Sequence, residues 1–369
     1  MDFGLMFFAS TAAPSPGGTY GLLTEAARFA DQNGFRSVWT PERHFHPFGG
    51  PFPNPSVLGA ALAMITRRIE IRAGSLISPL HDSLRIAEEW SVVDNLSGGR
   101  VALSFGAGWN IEDFVLRPER YGRRQEVMYR QIEEVRALWR GERLARRDSR
   151  GREARIGIYP RPVQAELPVW VTSSGNRQTF ESAGALGANL LTHLIGQTVE
   201  QLGEKVQVYR AARARTGFAP HEGSVSLMLH TFLGEDLDEV RARVREPFRE
   251  YLRAAVGLEQ IAALGGGAIS GGHRVEAHEI PPDAMEELLD LAFERYVRDA
   301  SLVGTVESCA EMVARLEEAG VDEIACLVDF VPDTAAVLES LTQAGRLLAS
   351  LAEREKQARS SMAGFLEDL

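Results

Sequence analysis

Short apolar runs rich in β-branched residues alternate with longer amphipathic stretches along nearly the whole chain, and this rhythm constrains the fold more than any other feature. The strand candidates are Asp2–Ala9, Ser37–Thr40, Ile69–Ile77, Val101–Gly106, Val169–Ser173, Asn189–His193, Ser224–Leu233 and Glu323–Phe330. Helical patterns lie between them at Tyr20–Asn33, Pro55–Thr66, Ser83–Leu96, Tyr121–Trp139, Asn176–Leu186, Thr198–Arg215, Asp236–Arg253 and Cys309–Ala319, and a last one, Asp333–Glu353, follows the eighth strand. A strand followed by a helix, repeated in this way, predicts an α/β fold of the parallel (β/α)8, or TIM-barrel, type. Gly34 in DQNGF and Gly320 in LEEAGVDE stop helices directly before the next strand.

Two stretches break the rhythm. Residues 141–167 carry Pro160, Pro162 and a basic run from Arg143 to Arg155, which reads as a solvated surface hairpin or loop. Residues 254–282 are rich in glycine and poor in pattern, and a loop this long is usually functional or mobile. Asp283–Ser301 then reads as an extra helix. The expectation is one domain, 1–369, with excursions after the fourth helix (141–167) and after the seventh strand (254–301). A chain of 369 residues, 44% hydrophobic, can bury a core without staples. Cys309 and Cys326 lie in the apolar-patterned segments CAEMVARL and IACLVDF and read as buried, inert thiols. A formal charge of -11 argues against general nucleic-acid binding, because a phosphate backbone would be repelled. MDFGLMFFAS lacks the basic start of a signal peptide, and no apolar run reaches membrane-spanning length, so a cytoplasmic protein with no membrane contact is expected.

In a barrel the chemistry is carried by loops at the C-terminal ends of the strands. Polar, glycine-rich or histidine-containing sequence follows four consecutive strands: VWTPERHFHPFGGPFPNP, AGSLISPLHD, SFGAGWN and TSSGNRQT. In TSSGNRQT a strand ends on Ser173 and Ser174, Gly175 turns, and a helix opens with Asn176 to Thr179. Backbone N–H groups at a helix N-terminus beside hydroxyls suit a phosphate, although Ser174 or Asn176 could equally be a plain helix cap. The segment matches neither GxGxxG nor a Walker loop, so no dinucleotide or NTP follows from it. Gly106, Gly108 and the intervening Ala107 leave room for a flat ring beside the backbone, with Trp109 as apolar wall; a tight turn with a core tryptophan is the plainer alternative. His44 and His46 alternate with Phe45, which invites a metal-dependent hydrolase with His193 and Asp329 as further ligands, but the loops after the fifth and seventh strands offer no clear additional ligand. The proline-rich sequence after His46 suggests a loop that closes over something.

These motifs together resemble the bacterial luciferase-like, flavin-dependent monooxygenases. The resemblance spans nearly the whole chain and rests on WTPERHF, on IEIRAGSLISPLHDSLRIAEEWSVVDNLSGGRVALSFGAGW, on VTSSGNRQTFESAGALGANLLTH and on GVDEIACLVDF. Within the superfamily the chain most resembles the branch found in natural-product gene clusters, typified by the mupirocin-cluster monooxygenase. That resemblance implies oxygenation of an acyl or aminoacyl, polyketide or peptide intermediate, as a small molecule or presented by a carrier protein. It further implies a homodimer that binds FMN as FMNH2, uses O2, and depends on a separate flavin reductase.

The resemblance also implies roles residue by residue. His44 matches the active-site histidine after the second strand, as acid or base, with Glu42 beside it in the motif. Gly74 and Ser75 match the third-strand region that often carries a non-proline cis peptide behind the flavin ring. Gly106, Gly108 and Asn110 match the loop beside the ring, and Ser173, Ser174, Gly175, Asn176 and Thr179 match the phosphate cradle. No metal is expected. An apolar pocket sealed by residues 254–282 would keep water from the reaction. Luciferase has a reactive cysteine at the fourth strand end and SFGAGW has none, so hydroxylation or Baeyer–Villiger insertion is expected rather than light emission. The deazaflavin-dependent reductases of the same superfamily, which transfer hydride without oxygen, are the alternative.

Overall fold

The computed structural model describes residues 1–8, 18–259 and 281–367. In chain order the strands are β1 (Asp2–Met6), β2 (Ser37–Thr40), β3 (Glu70–Ile77), β4 (Val101–Gly106), β5 (Leu144–Arg147), β6 (Glu153–Ile156), β7 (Val169–Thr172), β8 (Asn189–His193), β9 (Val225–Leu233), β10 (Leu302–Gly304) and β11 (Glu323–Leu327). The main sheet runs β10-β9-β11-β1-β2-β3-β4-β7-β8, and β8 pairs back onto β9, so eight parallel strands close into a barrel. Helices cover its outside: α1 (Gly21–Gln32), α2 (Pro55–Ile65), α3 (Ser83–Ser97), α4 (Arg124–Arg140), α5 (Arg177–Ala185), α6 (Val199–Arg215), α7 (Leu237–Glu259), α8 (Pro282–Asp299), α9 (Val306–Glu318) and α10 (Thr334–Glu367). Their starts are set by local chemistry. Asn54 caps α2 ahead of Pro55, Asp82 caps α3, and capping boxes at Thr198 and Thr305 open α6 and α9.

The predicted hairpin is present, with β5 and β6 antiparallel and Asp148 holding the turn through the Arg150 and Arg152 N–H groups. Most of residues 254–282 lie outside the described residues, beyond the end of α7, so the expected lid does too. Strands β1 and β11 end earlier than their apolar runs. The Phe8 N–H, which would continue the ladder, donates instead to the Asp329 carboxylate at 3.0 Å. Helix α4 begins at Arg124 rather than Tyr121, because two 3-10 turns, Ile111–Leu116 and Pro118–Arg123, precede it.

Inside the barrel, contacts between strands that are not neighbours mark the interior. Arg72 on β3 reaches Glu323 on β11 at 2.6 Å, and the Trp170 Nε1 on β7 donates to Ser226 on β9 at 3.1 Å. The Arg72 guanidinium packs against the rings of Trp39 and Trp170, 4.6 and 4.3 Å from their centroids, in the corner these two edge-to-face rings form. This charged layer fills the N-terminal half. One step higher, level with Gly74, the Ser104 hydroxyl meets that of Thr172 at 2.7 Å, and above it Gly106 borders the C-terminal mouth.

Candidate functional site

A cavity of about 250 Å³ opens at the C-terminal ends of β2, β3, β4 and β7. Of the residues singled out from the sequence, Glu42, Ser75, Gly106, Gly108, Ser173, Ser174, Asn176 and Thr179 line it. Gly74 lies below the wall, where a side chain would collide with Trp39: an added Cβ would sit 2.9 Å from two of its atoms. The Gly74–Ser75 peptide is cis, as the resemblance implied. At Gly106 a Cβ would come within 2.9 Å of the Ser75 hydroxyl, and at Gly108, where φ is +78°, within 2.7 Å of Ile77. Backbone therefore forms much of this wall because no side chain fits.

The opposite end of the cavity is the start of α5. Asn176 caps the helix, its Oδ1 accepting the Gln178 N–H at 2.8 Å, so the plain capping role is real; yet Asn176 also lines the cavity with Ser174 and Thr179. Gly175, at φ +98°, makes the turn, and the Ser173 hydroxyl accepts its N–H at 3.2 Å. Asn110 is turned to Asp113 at 2.8 Å and caps the first 3-10 turn; it does not line the cavity.

Sequence reasoning missed the third side. Arg124, Gln125, Met128 and Tyr129 of α4, with Arg43 and Phe8, line it beside Trp109, the residue expected as apolar wall. Arg124 is anchored by Nε to the Gly108 carbonyl (2.9 Å) and by Nη1 to the Tyr121 carbonyl (3.0 Å), which places a fixed cation in the same cavity as the α5 N-terminus. The signal available was positional: in a barrel the first turn of a helix that follows a long strand-end loop borders the mouth, and here it opens RRQ. Arg43 lies over the Trp109 ring (4.6 Å) and beside Asp113 (3.6 Å).

Glu42 is the polar centre of the wall. It is buried, and its Oε2 accepts the Ile77 N–H at 2.7 Å. Its Oε1 is shared by two imidazoles, the Nε2 of His44 at 2.9 Å and the Nε2 of His81 at 2.6 Å. Burial alone would raise the carboxyl, but the hydrogen bonds from the two imidazoles outweigh it and hold Glu42 below its ordinary range. His44 does not itself line the cavity; Glu42 connects it there. His81 was overlooked because LHD reads as the cap of α3, which Asp82 indeed is. His46 accepts the Phe48 N–H through Nδ1, and Phe48 and Phe52 are buried, so the proline-rich loop packs onto the barrel. Across the mouth His230 is caged by Phe248, Tyr251 and Phe330 at 4.6, 4.5 and 5.4 Å, and burial pushes it down to about 3. Among the described residues no three His, Cys, Asp or Glu side chains are grouped to hold a metal, and no helix is long and apolar enough to cross a membrane.

A model of the luciferase-like monooxygenase family matches residues 1–323. The chain belongs to this family. It is accordingly an enzyme, a flavin-dependent monooxygenase on a (β/α)8 barrel. It is 25% identical over 302 residues to 4-hydroxyprotoasukamycin monooxygenase of Streptomyces nodosus subsp. asukaensis, covering 80% of this chain and 76% of that one. It is also 25% identical over 313 residues to the FMNH2-dependent dimethylsulfone monooxygenase of Pseudomonas putida, covering 81% and 80%. Among solved structures it resembles the oxygenating constituent of 3,6-diketocamphane monooxygenase from Pseudomonas putida in complex with FMN, with a TM-score of 0.73, 20% identity, and coverage of 92% of this chain and 95% of that one.

Proposed function

We propose that the chain is the oxygenase component of a two-component monooxygenase. It takes FMNH2 from a separate reductase and adds one atom of O2 to an acyl, aminoacyl, polyketide or peptide intermediate of natural-product biosynthesis, by hydroxylation or Baeyer–Villiger insertion. The similarity to an FMNH2-dependent relative supports the cofactor, and that to the protoasukamycin enzyme supports the substrate class. The observation that carries the reading is the cavity itself. One end is a helix N-terminus flanked by Ser173, Ser174, Thr179 and Arg124, and the other is a backbone wall at Gly106 and Gly108, where a Cβ would collide with Ser75 and with Ile77 and Phe114. The first suits a terminal phosphate and the second a flat ring.

When bound, reduced flavin supplies the electron pair that lets one oxygen atom enter the product while the other leaves as water. The chain's own groups do the rest. Ser174, Asn176, Thr179 and Arg124 fix the phosphate, and Ser75, Gly106 and Gly108 give the ring its wall. Phe8, Ile77, Trp109 and Met128 present apolar surface that excludes water. Glu42 holds its two imidazole N–H groups at one carboxylate oxygen, so that His44, the acid–base candidate, has a fixed ring and a fixed tautomer.

The enzyme is proposed to be a homodimer. The outer face of α2 exposes Val57, Ala61 and Met64 at helical spacing, and neighbouring α3 exposes Val92 and Leu96. Apolar faces of this kind mark contact surfaces.

Fluorescence titration is expected to show tight binding of FMNH2, weaker binding of FMN and weaker still of FAD. Single-turnover reaction of pre-reduced FMN, O2 and candidate acyl thioesters should give product carrying one oxygen atom from O2. Equal or tighter affinity for FAD, or hydride transfer from a reduced deazaflavin without oxygen uptake, would overturn the reading.

A further inference from the structure

Two imidazoles meet one buried oxygen in this site. The Oε1 of Glu42 accepts from His44 on the β2 loop and from His81 on the turn before α3, while Oε2 is occupied by the Ile77 N–H. A carboxylate carries a single negative charge, so it can neutralise one imidazolium fully, and a second would face the first across the shared atom. The side chain of His81 is 28% exposed, that of His44 11%, and that of Glu42 not at all. His81 is therefore the member of the trio most open to solvent protons, and Glu42 is the member in the cavity wall.

We propose that His81 is a positioning residue for the acid–base group of the site, competing with His44 for the charge of Glu42 and so setting whether His44 is neutral or protonated. This rests on the proposed oxygenase reading only for its consequence in turnover; the competition itself is a property of the protein without flavin.

The surrounding charges favour His81 as the holder of the proton. Burial works against its protonation, but the hydrogen bond and charge of Glu42 outweigh this and raise it above the ordinary imidazole value. Glu89 on α3 adds to that and Arg117 at the end of the first 3-10 turn opposes it. Arg120 and Gln131 both donate to the His81 backbone carbonyl, which holds its main chain in place and takes neither ring nitrogen. Around the other members stand Asp113 and Arg43, 3.6 Å apart, a near-compensated pair. With His81 protonated and Glu42 anionic the pair is neutral. His44 can then donate Nε2–H to Oε1 while its Nδ1 lone pair stays available as a base. Where residue 81 cannot carry a charge, the Glu42 carboxylate is left to His44 alone, which favours the protonated form of that ring.

The test is an NMR titration of the flavin-free protein with ¹⁵N-labelled histidine, in the wild type and in His81→Gln. Glutamine keeps an N–H donor but cannot be charged. In the wild type the two imidazoles should titrate in two coupled steps about one unit or more apart, as expected of groups sharing a counter-ion. In His81→Gln, His44 should show a single step moved upward by about one unit or more, and the acid limb of turnover should move with it. His81→Asn, too short to reach Glu42, should show the same upward movement of His44. Independent one-proton curves in the wild type, or an unmoved His44 in a folded variant, overturn the proposal. Those outcomes are separate from failure of FMNH2 binding or of oxygenation, which would instead remove the oxygenase reading.

Discussion

The charged layer in the lower barrel gives a prediction whose size follows from the structure. Glu323 is fully buried; its Oε2 accepts from Arg72 Nη1 and from the Ser226 hydroxyl, both at 2.6 Å, and its Oε1 accepts from the Ser37 hydroxyl. Arg72 is equally buried, its remaining nitrogens held by Glu70 at 3.0 and 2.7 Å. Glu323→Ala leaves a buried guanidinium against two tryptophan rings with one carboxylate fewer, and two serine hydroxyls without that acceptor. Removing one partner of a buried pair costs about 3–5 kcal/mol. At about 2 °C per kcal/mol, the lower end for larger domains, the melting midpoint should fall by roughly 6–10 °C. Glu323→Gln keeps the shape and an acceptor and should lose less, about 1.5–3 kcal/mol for the charged hydrogen bonds weakened. The double change Arg72→Met with Glu323→Leu should cost less than Glu323→Ala alone, because no charge is left unpaired. Calorimetry and urea unfolding of these variants decide the matter. Burial would raise the Glu323 carboxyl, but Arg72 and the two hydroxyls outweigh it and lower it. Its contribution is therefore full above the unfolded glutamate value of about 4.3 and is lost as pH falls through the lower folded value; Glu323→Gln should lack that part of the acid limb. Wild-type melting of Glu323→Ala, or a double variant worse than the single, would refute the reasoning.

Other expectations concern the cavity and the thiols. Thr179→Ala and Arg124→Met should each weaken FMNH2 binding, with a lost charge-assisted hydrogen bond worth about 1.5–3 kcal/mol, or roughly 10–150-fold in Kd by fluorescence titration; unchanged affinity would remove the phosphate from that end. Gly106→Ala should fold, since its collision is with the Ser75 hydroxyl at 2.9 Å, yet bind flavin at least about tenfold more weakly, seen in the same titration. Cys309 and Cys326 are buried and burial pushes both thiols up to about 12, so neither should react with a thiol reagent at pH 8 until the protein is unfolded.

The barrel was legible because most strands carry an apolar, often β-branched run and α2, α3, α5, α6 and α9 open on a side-chain cap, so local preference and final pairing agree. The strand ends were less so. Met6 and Leu327 end their strands because the Asp329 carboxylate takes the Phe8 N–H, a contact across 321 positions that no local pattern carries. Strand β10 has three residues, Leu302–Gly304, too few for a period to show. In the site, Gly106, Gly108, Ser174 and Thr179, singled out from strand-end and turn chemistry, line the cavity. Arg124 and His81 were not. Each enters through a tertiary contact, Arg124 to the Gly108 carbonyl and His81 to Glu42, 39 positions away.

The lower charged layer and the upper site are joined by one short segment, and its residue types follow from that position. Gly74 lies against Trp39, the ring that covers one face of Arg72, so any larger residue there would press on the charged stack. The next residue, Ser75, accepts the Glu42 N–H on its carbonyl at 3.0 Å and presents its hydroxyl to Gly106. Two residues further, the Ile77 N–H holds the Glu42 carboxylate. Residues 74–77 thus rest on the ion pair below and carry both the backbone and the side chain of the cavity's acid above. A buried Arg–Glu pair contributes little net stability over apolar packing, but here its guanidinium packs against the Trp39 ring. That ring in turn supports the segment that orients Glu42. The charged layer is best understood as the foundation of the site's geometry, with stability the secondary return. On that view Arg72→Met with Glu323→Leu, even where it melts near the wild type, should bind FMNH2 less tightly.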